Sequence, residues 1–237
     1  MLAANLHKKL INLGPDSFTP LATQITFSEQ AIGTENPTYS FTGLTDLTDG
    51  VFTVTFDGYF VGQDNTGGSP DTLSDPTPDS PLALDPASPN TFITSDGASP
   101  YSPVLSGDPV FNGIISVLFS DPVAGVGLYG GYFDAIGGTT IEAYDEYGNS
   151  LGSITNSTLG MEFFGLADET GANVIKGISF YITGPEPAGF GIDNLTFGAA
   201  SVIDDDDLNP PVPEPATLLL LGSGLLGLAG FRKKFKN

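Results

Sequence analysis

Residues 51 to 61 read VFTVTFDGYFV, so Phe52, Val54, Phe56 and Phe60 fall on one face of an extended backbone and Thr53, Thr55, Asp57 and Tyr59 on the other. An alternation of period two specifies a half-buried strand, because successive side chains leave opposite faces; a helix needs its apolar residues every three to four positions. Similar runs recur at 24–28, 114–119, 126–133, 139–145, 150–156, 161–166, 174–182 and 190–197, with shorter edge candidates at 91–94 and 101–105. None of them carries a helical stripe. The segment 139–156, TTIEAYDEYGNSLGSITN, predicts a hairpin that turns at Glu146-Tyr147-Gly148-Asn149, where Gly and Asn adopt positive φ at low cost. Many strands, Gly-rich turns and no intervening helix predict an all-β fold, an antiparallel β-sandwich of jelly-roll-like connectivity.

Composition then divides the chain. Residues 24–198 form the predicted sandwich, with 17 Phe and 8 Tyr in the chain to fill its core. Within it, 62–110 is an excursion rich in Pro, Asp, Ser and Thr, and prolines withhold ladder donors, so a long surface path is expected there. Residues 199–212, AASVIDDDDLNPPV, read as an acidic linker: four adjacent aspartates repel one another and Pro210-Pro211 stiffens the backbone at its end. Residues 1–23 lack a recognisable export signal, since only Leu10, Ile11 and Leu13 precede Gly14-Pro15-Asp16 where roughly 7–15 consecutive apolar residues are needed.

Charge excludes several functions. The chain has 28 acidic and 7 basic residues, and between residues 10 and 231 only Lys176 opposes the acids, leaving −27. Nucleic acid is excluded as a partner, because phosphate binding needs a clustered cationic face. There is no cysteine, which removes disulfides and thiol chemistry. His7 is the single histidine and lies outside the predicted domain, so no histidine triad or His-rich zinc site can be assembled. Gly125-Val126-Gly127-Leu128-Tyr129-Gly130 has dinucleotide-motif spacing, but a strand continues where that motif needs a helix.

The C-terminal end is a different object. Residues 213–237 contain the uncharged run 216–231, ATLLLLGSGLLGLAGF, closed at once by Arg232, Lys233, Lys234 and Lys236. As a helix the run would reach roughly 24 Å, short of the ~30 Å hydrocarbon core but enough to span with local thinning or snorkelling. A single C-terminal transmembrane helix is predicted, with the basic cluster cytoplasmic and the acidic body outside. Pro213-Glu214-Pro215, the Leu/Gly run and the terminal Arg/Lys cluster, in that order, resemble a PEP-CTERM sorting signal over residues 212–237. The resemblance implies an exported protein recognised and cut near Pro213-Glu214-Pro215 by exosortase, a membrane-embedded transpeptidase-like enzyme. The protein would be held in the inner membrane before sorting and then displayed at the cell surface or released, in bacteria that make exopolysaccharide. It would be the sorting substrate, not the enzyme. A second Pro-Glu-Pro, at Pro185-Glu186-Pro187, has no apolar run behind it and reads as a loop.

The body, with Phe190-Gly191-Ile192-Asp193-Asn194-Leu195-Thr196-Phe197 as its closing strand, resembles jelly-roll modules related in shape to carbohydrate-binding domains. That resemblance implies adhesion, exopolysaccharide association or carbohydrate binding. Tyr59, Tyr129, Tyr132, Tyr144 and Tyr147 are candidate sugar platforms, since a pyranose face stacks on an aromatic ring. Glu29 comes just after the first strand of the domain and Asp193 and Asn194 sit in the last, so if these strands pair the three are candidates to hold a structural Ca²⁺, the alternative being a solvated carboxylate and a turn with no cofactor. Asp204 to Asp207 lacks EF-hand spacing and reads as solvated. The body is read as a binding module and not an enzyme. Two alternatives remain open: a purely structural matrix protein crosslinked by cations, and a carboxylate-based glycoside hydrolase.

Overall fold

The computed structural model of the protein describes residues 10–97 and 99–208. The first half of the chain supplies β1 (Leu10–Asn12), β2 (Thr23–Ile25), β3 (Thr38–Thr42), β4 (Val51–Asp57), β5 (Asp64–Asn65), β6 (Leu73–Asp75), β7 (Thr91–Thr94) and β8 (Val104–Gly107). The second half supplies β9 (Ile115–Val123), β10 (Gly125–Phe133), β11 (Thr139–Tyr144), β12 (Ser150–Thr155), β13 (Gly160–Asp168), β14 (Ile175–Ile182) and β15 (Gly191–Gly198). They form a seven-stranded sheet in the order β1-β13-β10-β15-β8-β7, with β2 also on β15, a six-stranded sheet β12-β11-β14-β9-β4-β3, and the small pair β5-β6. Every pairing is antiparallel, as the period-two pattern requires.

From β9 onward the chain crosses between the sheets at nearly every connection, the β11–β12 hairpin being the exception. That hairpin turns where the sequence places it: Gly148 has φ +78°, and the Asp145 carboxylate accepts hydrogen bonds from the backbone N–H groups of Tyr147 and Asn149 at 2.9 and 3.0 Å. The inner faces meet in an aromatic core. Phe52 stacks on Phe197 at 5.4 Å between ring centres, and Phe180 lies 5.0 Å from Phe164 and 4.4 Å from Phe190. All five rings are buried, each stabilising the fold by roughly 1.5–3 kcal/mol through burial alone.

The Pro-rich excursion differs from its expected course over the surface. It packs down as a partial third layer on the outside of the six-stranded sheet, where Phe60 and Leu82 cover Tyr144, and Leu73 joins Ile114 and Tyr181. The physical cause is that the outer faces of β11 and β14 carry Tyr144 and Tyr181, whose rings need cover. The Tyr144 hydroxyl donates to the Pro76 carbonyl at 2.9 Å, and the Gln63 amide donates to the same carbonyl at 2.9 Å. Strands β7 and β8 form at its far end.

Both domain boundaries move outward. Leu10 to Asn12, expected to precede the domain, form β1 on the free edge of β13, with Asn12 opposite Leu166. Three residues are too short to show a periodicity of their own; the partner strand supplies the register. The first part of the expected linker also folds back: Ala200–Val202 make a 3-10 turn, Ile203 bridges Phe18, and Asp205–Leu208 make one helical turn, α1. Ile203 and Leu208 flank the aspartate run and are buried with Leu13, Ala124 and Ala167, which anchors the segment despite its charge. Among the described residues no helix is long and apolar enough to cross a membrane. The predicted span 216–231, the motif Pro213-Glu214-Pro215 and the basic cluster Arg232 to Lys236 lie outside the described residues.

Candidate binding groove and carboxylate pocket

The outer face of the seven-stranded sheet is partly roofed by the segment from Pro15 to Gln24, and between roof and sheet lies a groove of about 370 Å³. Its floor is aromatic. Tyr129 of β10 and Phe163 of β13 are register partners, with ring centres 5.2 Å apart at an edge-to-face angle of 68°. Phe18 extends the row at 6.4 Å from Phe163, and Tyr101, outside the lining, lies 4.8 Å from Tyr129. Gly127 makes the row possible: a Cβ there would stand 2.4 Å from Phe163 Cζ and 2.8 Å from Phe18 Cε2. The glycines of Gly125-Val126-Gly127-Leu128-Tyr129-Gly130 are thus clearances in a strand, Gly125 making room for Ile203 and Gly130 for Phe180.

Polar groups line the same groove. The Gln24 amide donates to the Thr196 hydroxyl at 3.2 Å, and that hydroxyl donates to the Asn194 carbonyl at 3.1 Å. Asn194 itself has φ +51°, the left-handed region, at the point where the β10–β15 register slips. Asp16 is the one carboxylate in the lining. Burial, then Tyr101 and Asp16, push the Tyr129 hydroxyl above its ordinary pKa, so it stays protonated and can donate. Rings flanked by groups that both donate and accept are suited to a polyhydroxylated ligand.

A second feature lies beside the groove. β10 occupies one edge of β15 along its length, so β8 and β2 share the other: Ile192 pairs with Leu105 of β8, and Leu195 with Ile25 of β2. Asp193 sits at this change of partner. It is 2% exposed, and its Oδ1 has no hydrogen-bond partner; the Tyr39 hydroxyl, on a residue 7% exposed, has none either. Burial first, then the charge of Glu29, raises the Asp193 pKa to about 7 against the favourable Asn194 backbone hydrogen bond. Burial, Glu29 and Asp193 push the Tyr39 hydroxyl far above the phenol range. Glu29 is exposed and accepts hydrogen bonds from the Thr26 backbone N–H and hydroxyl at 3.0 and 2.9 Å. Two buried oxygens without partners beside a second carboxylate fit a hard cation, which takes carboxylate, hydroxyl and carbonyl oxygens. Among the described residues no group of three or more His, Cys, Asp or Glu stands together, so a cation here would draw on Asp193, Glu29, Tyr39 and backbone carbonyls.

Of the three residues expected to hold a metal, the fold brings Glu29 and Asp193 into electrostatic contact, while Asn194 lines the outer groove. Of the five candidate tyrosines, Tyr129 lies in the groove. Tyr144 is 1% exposed beneath the excursion, Tyr59 packs against the Leu73 cluster, and Tyr132 and Tyr147 are exposed outside the groove. Sequence reasoning missed Phe18, Tyr101, Phe163, Gln24 and Thr196. Phe163 was within reach, because alternation along β13 puts it on the face opposite the buried Phe164. Phe18 sits in an irregular segment, where no periodicity announces a face, and Tyr101 opens the expected edge run 101–105, but β8 begins only at Val104 and leaves Tyr101 in a turn.

The internal Pro185-Glu186-Pro187 is a loop. Its Glu186 carboxylate is buried and accepts the backbone N–H groups of Asp134 and Ala135, each at 3.1 Å, tying it to the β10–β11 turn.

Residues 211–234 match the PEP-CTERM protein-sorting motif. The chain therefore carries this sorting motif, which implies an exported protein handled by exosortase and directed toward the cell surface or extracellular space. No curated protein matches. One solved structure that aligns is the enzymatically active domain of bacteriophage CBA120 tailspike protein 4, at 16% identity and a TM-score of 0.25. The alignment covers 62% of this chain and 19% of that one, so this chain spans about a fifth of that protein's length.

Proposed function

We propose that this protein is an exosortase-sorted surface or matrix protein whose β-sandwich binds a glycan in the groove over β10, β13 and β15. The observation that carries the reading is the row Tyr129, Phe163 and Phe18, with Tyr101 against Tyr129, set beside Gln24, Thr196 and Asn194. Such a row supplies stacking faces, and the neighbouring amides and hydroxyls supply partners for sugar hydroxyls. The reading is of a binding site and not a hydrolytic one, because glycoside hydrolysis needs two carboxylates across a cleft and Asp16 alone lines this one.

In this reading the tail at 216–231 holds the protein in the inner membrane until exosortase acts at Pro213-Glu214-Pro215, after which the body associates with exopolysaccharide. Binding is tested by affinity electrophoresis through the producing cell's own exopolysaccharide, comparing the intact protein with Tyr129→Ala. Tyr129→Ala should weaken retention roughly tenfold, a loss of about 1.4 kcal/mol; equal mobility of the two proteins would overturn the groove as the site. Sorting is tested by deleting 213–237: unprocessed protein should appear in the periplasm or medium, and unchanged surface display would refute the role of the tail.

A second reading is favoured by the partnerless Asp193 Oδ1 and Tyr39 hydroxyl. A structural Ca²⁺ bound there would neutralise a buried carboxylate and fasten β2 to β15 where the edge of β15 changes partner.

A further inference from the structure

We infer that the groove selects uncharged glycans and rejects glycans bearing carboxylate or sulfate groups, an inference that rests on the groove being the glycan site. The strongest direct recognition of an anion comes from Arg or Lys, or from converging backbone N–H groups. Among the described residues the groove presents none of these side chains; its polar lining is Thr19, Gln24, Thr196, Asn194, Tyr129 and Asp16. Among the described residues no cation can swing in from nearby either. Lys176 is the one basic residue between residues 10 and 208, and it belongs to β14 in the opposite sheet, where its ammonium donates to the Ser120 carbonyl at 2.5 Å.

The same arrangement favours a neutral ligand. Amide and hydroxyl groups both donate and accept, so they match sugar hydroxyls whichever way those hydroxyls are turned. Asp16 can accept from a hydroxyl but repels a carboxylate brought to the same place, and the net negative charge of the body extends that repulsion to the approach path. Against an acidic exopolysaccharide, this site would therefore select the neutral stretches.

The test uses matched pairs: neutral glucan, galactan, mannan and xylan, each beside its carboxymethylated derivative, presented to the full-length protein in mild detergent with chelator throughout. At least one neutral polymer should be retained. Its carboxymethylated form should bind roughly tenfold more weakly at low salt, with the gap narrowing as ionic strength rises and screens the repulsion. Equal or tighter binding of the carboxymethylated form, still sensitive to Tyr129→Ala, would overturn the charge selectivity and leave the groove reading standing. Retention of no polymer, or retention unaffected by Tyr129→Ala, would overturn the groove reading itself.

Discussion

Replacing Asp193 by Asn isolates the cost of the buried carboxylate. The ordinary aspartate value is 3.8, and burial raises this one to about 7, so protonation favours the folded state. The favourable contribution is fully present below about pH 3.8 and is lost as pH rises through about 7. A separation near three units, at about 1.4 kcal/mol each, makes the loss on the order of 4 kcal/mol once the group is ionised. Asn is nearly the same size and does not titrate. In chelator at pH 8, Asp193→Asn should exceed the wild type in stability by up to about 4 kcal/mol, and the advantage should shrink toward zero near pH 4. The many other acids also make stability depend on pH, so the quantity to track is the difference between the two proteins, measured by urea unfolding at intervals from pH 4 to 9. A difference that stays constant across that range would refute the reasoning. Calcium adds the opposite arm: at 100 times its dissociation constant it should stabilise the wild type by about 2.7 kcal/mol at pH 8 and leave Asp193→Asn unmoved. Stabilisation of both proteins alike would remove Asp193 from the cation site.

Packing sets the remaining outcomes. Gly127→Val places new carbon atoms where Phe163 and Phe18 now lie, so it should displace the aromatic row and abolish glycan retention, while overpacking costs about 1–3 kcal/mol; unchanged retention with the same melting temperature would count against the row. Leu82→Ala removes a buried contact between the excursion and Tyr144 and should destabilise by about 2–5 kcal/mol. Limited proteolysis should then cut within 62–90 first, and an unaltered cleavage pattern would show that the excursion is held by other contacts.

Residues 91–94 illustrate how far local pattern reaches: the alternation there predicts a strand, and β7 occupies those residues. The larger runs behave alike, because alternation is set by the backbone's own geometry and needs no knowledge of a partner. Thr38–Thr42 is a strand absent from the predicted runs, although Tyr39 and Phe41 alternate with polar neighbours. The run is short and begins immediately after Pro37, and β4 supplies its register.

The sequence by itself determined the all-β class, the strongly acidic charge, and the sorting motif at the C-terminus, which is linear and was legible without a fold. It also named Glu29, Asp193 and Asn194 together, of which the fold brings Glu29 and Asp193 into electrostatic contact and places Asn194 in the groove. Tertiary structure decided how a groove could form at all: Phe18, Tyr101, Tyr129 and Phe163 come from four separate segments, and no local preference relates them. It also decided that Tyr144 would be covered while Tyr129 would line a groove, because the excursion roofs one sheet and the Pro15–Gln24 segment only partly roofs the other. Strand periodicity says which residues share a face. Whether that face meets water, a loop or a ligand depends on what the rest of the chain lays over it.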